Sequence, residues 1–122
     1  AARRGRRRAA DRGDGGWKGE LREEQKAGSS YDMYAASSSK KVNPAGEWNT
    51  ARIIYINGHV EHWLNGEKVL EYDLGSARMD SLLAASKYAT IAGFADRRDG
   101  HVVLQDHNDA VWFRNIKVRN LN

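Results

Sequence analysis

The chain contains no cysteine. That excludes disulfide staples and thiolate-bound metal together, and leaves the redox compartment open. Long apolar runs are also missing. Nothing approaches the roughly 18 consecutive apolar residues of a membrane-spanning helix, and no signal-peptide apolar region follows the N-terminus. Localisation is therefore left open, with no membrane span and no visible export signal. Nor is there a G-x-S-x-G, a G-x-G-x-x-G or a G-x-x-x-x-G-K-[ST] pattern, so the sequence gives no support to serine hydrolase, dinucleotide-binding or P-loop readings. Proline occurs once, at Pro44.

Excess charge is missing from most of the chain. The net charge of +4 is confined to its start: residues 1–28 hold nine Lys or Arg against five Asp or Glu, and residues 29–122 hold eleven of each. A neutral body argues against a nucleic-acid-binding face, which needs clustered cations to displace counterions. Six Arg fall in the first twelve positions with no aromatic residue among them to stack on bases. Residues 1–27 read as a basic, low-complexity, disordered leader, and residues 28–122 as the domain.

What is present is β-forming sequence cut by tight-turn signals. At 122 residues, with four Trp, five Tyr and two Phe, the chain supports one domain with a modest core. Thr50–Ile56, His59–Leu64 and Glu67–Tyr72 read as strands joined by the two-residue turns Asn57-Gly58 and Asn65-Gly66. Alternation puts His59, Glu61 and Trp63 on one face of the middle strand and Val60, His62 and Leu64 on the other. His62 thus reads as a core histidine with its polar atoms satisfied, and His59 as solvent-facing. Tyr31–Tyr34 predicts a further short strand. Met79, Leu82, Leu83 and Ser86 follow i, i+3, i+4, i+7 spacing behind a capping Ser76, which predicts one amphipathic helix over 76–88.

Residues 100–118 place two apolar runs, Val102–Leu104 and Val111–Phe113, around Asp106-His107-Asn108-Asp109. The spacing predicts a β-hairpin with a polar tip. Asp106, Asn108 and Asp109 carry oxygens that suit calcium, but without the glycine and glutamate spacing of an EF-hand loop. No cofactor and no metal are expected. The inventory of strands with one short helix predicts a mainly β chain, an antiparallel sandwich or jelly roll with fewer strands than a complete one.

Three stretches together resemble the family of 3-keto-disaccharide hydrolase domains. They are Pro44 to Ile53 (PAGEWNTARI), His59 to Gly66 (HVEHWLNG), and Gly100 to His107 (GHVVLQDH) followed by Val111 to Ile116 (VWFRNI). Gly28 to Tyr34 is similar to the strand that precedes them in the family. The resemblance covers roughly residues 28–121, the C-terminal half of the family domain, and implies a concanavalin-A-like or laminarin-G-like β-sandwich. It also implies a carbohydrate partner, a 3-keto glycoside, and export for related domains.

A ketone at C3 acidifies the C2 proton. A base removes it, the enolate expels the aglycone from C1, and water can add to the enone. That route needs a base at C2–H, an acid for the leaving oxygen and positive charge at the C3 oxygen. The resemblance points to His107 as acid or base, Arg114 at the enolate oxygen, and Asp106, Gln105 and Trp63 as sugar contacts. The same residues admit blander roles: a self-satisfied turn for Asp106 and His107, a structural bridge for Arg114, packing for Trp63. A non-catalytic carbohydrate-binding sandwich, a basic-tailed interaction module and an inactive fragment are the competing readings.

Overall fold

The computed structural model describes residues 21–106 and 110–121. Its centre is an antiparallel meander of three strands, β1 (Ala51–Ile56), β2 (His59–Leu64) and β3 (Glu67–Asp73), in the order β1-β2-β3. Both connections are the predicted two-residue turns. Asn57 and Gly58 have φ of 48° and 85°, and Asn65 and Gly66 have 49° and 85°. Left-handed backbone at both central positions defines a type I′ turn, whose twist matches that of the flanking strands. Asn and Gly are the residues that adopt it at least cost.

Register follows from these turns. Ile56 pairs with His59, Ile54 with Glu61 and Arg52 with Trp63. Across the other ladder His59 pairs with Asp73, Glu61 with Glu71 and His62 with Leu70. An irregularity between His62 and Trp63 leaves Val69 as the extra residue of β3. Val69 is buried with Leu64 and Ala36, and Val42 packs against them. The Val60, His62, Leu64 face is thus the core face.

The chain before the sheet folds back onto this face. Gly28 donates no side chain but its carbonyl meets His62 Nδ1 at 2.8 Å, and Tyr72 Oη lies 3.4 Å from His62 Nε2. Tyr34 stacks on Tyr72 with ring centroids 4.7 Å apart. His62 is therefore a structural histidine with both nitrogens engaged, as its place between Val60 and Leu64 predicts. Helix α1 (Ala77–Ala85) follows the meander. Ser76 caps it by accepting from the Met79 N–H at 3.1 Å, and Met79 is its buried residue. The chain is mainly β, with one three-stranded sheet and one short α-helix among the described residues.

Two expected elements differ. Tyr31–Tyr34 is a turn closed by an isolated bridge between Ser30 and Tyr34. Asp32 sits at φ 65°, where its carboxylate accepts the Lys87 N–H at 2.8 Å and pairs with the Arg22 guanidinium. These polar bonds override the β propensity of two tyrosines. The second difference is the hairpin over 100–118. Residues 101–106 and 110–121 carry no strand, and Val102, Val103, Ile116 and Val118 are exposed. Alternation encodes a face for burial but supplies no pairing partner, and a ladder requires both.

The Lys87 N–H hydrogen bond, aided by the positive charges of Arg22 and Lys87, holds the Asp32 carboxyl below the usual aspartate range against the opposing effect of burial. Its folded value is lower than its unfolded one. Its contribution is therefore complete above about pH 4 and is lost as pH falls through the folded value. Asp32→Asn is expected to destabilise the chain at pH 7 by about 1.5–3 kcal/mol, the usual worth of hydrogen bonds to a charged group. It should also flatten the acid limb of urea-midpoint against pH.

Candidate functional site

Opposite the core face, the meander presents a face built from all three strands. Arg52, Ile54 and Ile56 come from β1, His59, Glu61 and Trp63 from β2, and Glu71 and Asp73 from β3, because directly paired residues of antiparallel strands project to the same side. Trp63 is half-buried. Its indole N–H donates to Glu61 Oε2 at 2.6 Å, and the Arg52 guanidinium lies 4.7 Å from its ring centroid. Trp63 is thereby fixed at both its polar edge and its π face.

His59 stands at the centre of three carboxylates. Its Nδ1 is 2.7 Å from Asp73 Oδ1, and its Nε2 is 3.4 Å from Glu71 Oε2 and 3.9 Å from Glu61 Oε1. The Asp73 hydrogen bond, with the charges of Asp73, Glu71 and Glu61, raises the His59 pKa above the usual histidine value. Lys68 adds an ammonium 2.8 Å from Glu71 Oε2 and 4.0 Å from Glu61 Oε1. That contact lowers the Glu71 pKa and raises that of Lys68. Sequence reading left His59 as a solvent-facing turn residue. The Asn65-Gly66 turn alone would set Leu70 and Tyr72 opposite Glu61 and His59; the extra residue Val69 shifts the ladder by one and brings Glu71 and Asp73 there, which no turn signal announces.

The residues singled out from the sequence are placed differently. Arg114 lies over the Trp48 ring, 4.0 Å from its centroid. This is a cation–π contact that ties Arg114 to the indole. Trp48 is held by the loop before β1. Asn43 Nδ2 donates to the Trp48 carbonyl at 2.8 Å, the Asn43 N–H donates to Asn49 Oδ1 at 2.8 Å, and Asn65 Nδ2 donates to the same Asn49 oxygen at 2.8 Å. Gln105 and Asp106 are exposed and lie outside any strand. His107, with Asn108 and Asp109, falls outside the described residues, so the candidate base and two members of the candidate calcium trio do too.

Comparison with known proteins gives the family. The profile of the 3-keto-alpha-glucoside-1,2-lyase-like domain matches residues 9–119. The chain belongs to this family. A 3-keto-disaccharide hydrolase of Bacteroides thetaiotaomicron is 37% identical over 110 residues, covering 80% of this chain and 37% of that protein. Among solved structures, the crystal structure of a "putative glycosyl hydrolase" from Parabacteroides distasonis is similar with a TM-score of 0.54 at 42% identity. It covers 58% of this chain and 32% of the other. The chain thus spans about a third of the length of these relatives. The family match begins at residue 9, inside the segment read from composition as a leader. No helix among the described residues is long and apolar enough to cross a membrane.

Proposed function

We propose that this chain takes part in cleaving 3-keto glycosides by abstraction of the C2 proton, loss of the aglycone from C1 and addition of water to the enone. The observation that carries the reading is the family match over residues 9–119, supported by the 37% identity to a 3-keto-disaccharide hydrolase. Within that reading His107 exchanges the proton, and Arg114 meets the developing negative charge on the C3 oxygen. Gln105 and Asp106 bind sugar hydroxyls, and Trp63 offers its ring to an apolar sugar face. The cation–π contact of Arg114 with Trp48 supports its part, since a cation held in place meets developing negative charge at little reorganisation cost.

The keto group decides the mechanism, because only it makes C2–H acidic. A two-carboxylate glycosidase, passing through an oxocarbenium-like state, has no need of it. Incubating the chain with a 3-keto glucoside and with the same glucoside bearing an ordinary C3 hydroxyl tests this. Aglycone release is expected from the keto substrate alone. Release from both at similar rates, or binding of both with release from neither, would overturn the reading.

A further inference from the structure

We infer that His59, Glu61 and Glu71 form a binding site for one divalent transition-metal cation of the zinc or manganese type. None of the three ligands is assigned to the keto-sugar reaction, and the site does not depend on that assignment, although Trp63 adjoins both. One ligand atom from each residue can be chosen so that all lie within 4.8 Å of one another. A cation with bonds of about 2.1 Å brings neighbouring donors to roughly 3.0–3.5 Å. His59 Nε2 is 3.4 Å from Glu71 Oε2 and 3.9 Å from Glu61 Oε1, and all three ligand atoms lie within 4.8 Å, so closure around an ion needs side-chain movements of about an ångström.

The surroundings are those of a ligand set rather than of a chance ion pair. His59 Nδ1 faces Asp73 Oδ1 at 2.7 Å, which holds the ring with Nε2 directed at the two glutamates. Glu61 uses Oε2 to accept the Trp63 indole N–H at 2.6 Å, so its orientation is set while Oε1 faces the site. All three ligands stand on paired β2 and β3 positions, with Ile54 and Ile56 of β1 opposite Glu61 and His59. A mixed imidazole–carboxylate set suits such cations better than calcium or magnesium, which take oxygen alone.

The charge balance points the same way. Glu61 and Glu71 are directly opposed across the ladder, an arrangement that destabilises a sheet unless a cation lies between them. With Asp73 they make three negative charges, against which stand the Lys68 ammonium and the His59 imidazolium when it is protonated. Lys68 is a stand-in: its ammonium lies between the two glutamates, and its flexible stem can carry it to solvent when a divalent ion arrives. Lys68 therefore acts as a competitor that sets the affinity.

Titration of the 122-residue chain with Zn2+ alone, followed by calorimetry, tests the inference. One equivalent is expected to bind. His59→Ala and Glu71→Gln should each weaken that binding at least tenfold, and Lys68→Met should tighten it severalfold. The double variant His101→Ala/His107→Ala, which removes two other histidines, should bind as the wild type does. Absence of binding by the wild type, undiminished binding by His59→Ala, or loss of binding in the double variant would each overturn the site. Should His59→Ala lose its near-UV aromatic spectrum, Lys68→Met decides: misfolding cannot tighten a site, so tighter binding supports it and unchanged binding contradicts it.

Discussion

Asn65→Ala is expected to destabilise the chain by about 2–4 kcal/mol, a large share of the stability of any single domain. Asn65 is the most heavily used polar side chain of the sheet. Its Oδ1 accepts the Thr50 N–H at 2.9 Å, and its Nδ2 donates to the Lys41 carbonyl at 2.8 Å and to Asn49 Oδ1 at 2.8 Å. Three hydrogen bonds, two of them exposed, at about 0.5 kcal/mol each account for about half of the loss. The backbone adds to it, because φ at residue 65 is 49° and alanine enters the left-handed region at a cost of roughly 1–2 kcal/mol. Asn65→Gly separates the two parts. It relieves the backbone but makes no side-chain bond, so its urea midpoint should lie between those of Asn65→Ala and the wild type. A loss below about 0.5 kcal/mol for Asn65→Ala would mean that the loop before β1 is held by other contacts.

The second large effect concerns Arg114. On the proposed mechanism, Arg114→Ala removes the positive charge at the C3 oxygen and should lower kcat/KM on a 3-keto glucoside by about 10²–10³-fold, the range found when one oxyanion donor is deleted. Most of the loss should fall on kcat, because the charge develops after binding. Arg114→Lys should recover only part of the rate, since an ammonium neither stacks on Trp48 nor presents a planar fork. A purely structural Arg114 would give a different pattern: both variants would unfold at lower urea, and the fraction still folded would keep wild-type turnover. The two predictions are linked through the fold. Asn65 holds Asn49, Asn49 holds Asn43, and Asn43 holds the Trp48 carbonyl that sets the platform for Arg114. Asn65→Ala should therefore also reduce turnover, though less than Arg114→Ala does.

The meander was legible because its signals are local. Each Asn-Gly pair fixes a turn geometry, each turn fixes a register, and alternation assigns the faces, so β1 to β3 and the burial of Val60 and Leu64 follow from neighbouring residues. The cap at Ser76 is local in the same sense. Tyr31–Tyr34 was misread because its conformation is set by Arg22 and Lys87, which lie ten and 55 residues from Asp32. The segments 101–106 and 111–118 have a strand's pattern, but pairing is a property of two segments, and one sequence pattern specifies only one of them. The carboxylates around His59 were not legible, because the Asn65-Gly66 turn alone would carry Glu61 and His59 onto Leu70 and Tyr72; the extra residue Val69 shifts the ladder by one and brings Glu71 and Asp73 there instead. The contact of Arg114 with Trp48 was not legible either, since 66 positions separate two residues that no motif connects.

The central claim is that cleavage proceeds through an enolate at C2, and the most direct measurement is the isotope content of the sugar released in D2O. The chain is incubated with a 3-keto glucoside, and the product is read by mass spectrometry against the same substrate in buffer alone. The account predicts one deuterium at C2, in excess of the buffer exchange and in step with aglycone release, because the proton lost to the base is replaced from solvent. Product that forms while keeping its original C2 hydrogen, or no product at all from the folded chain, would contradict it.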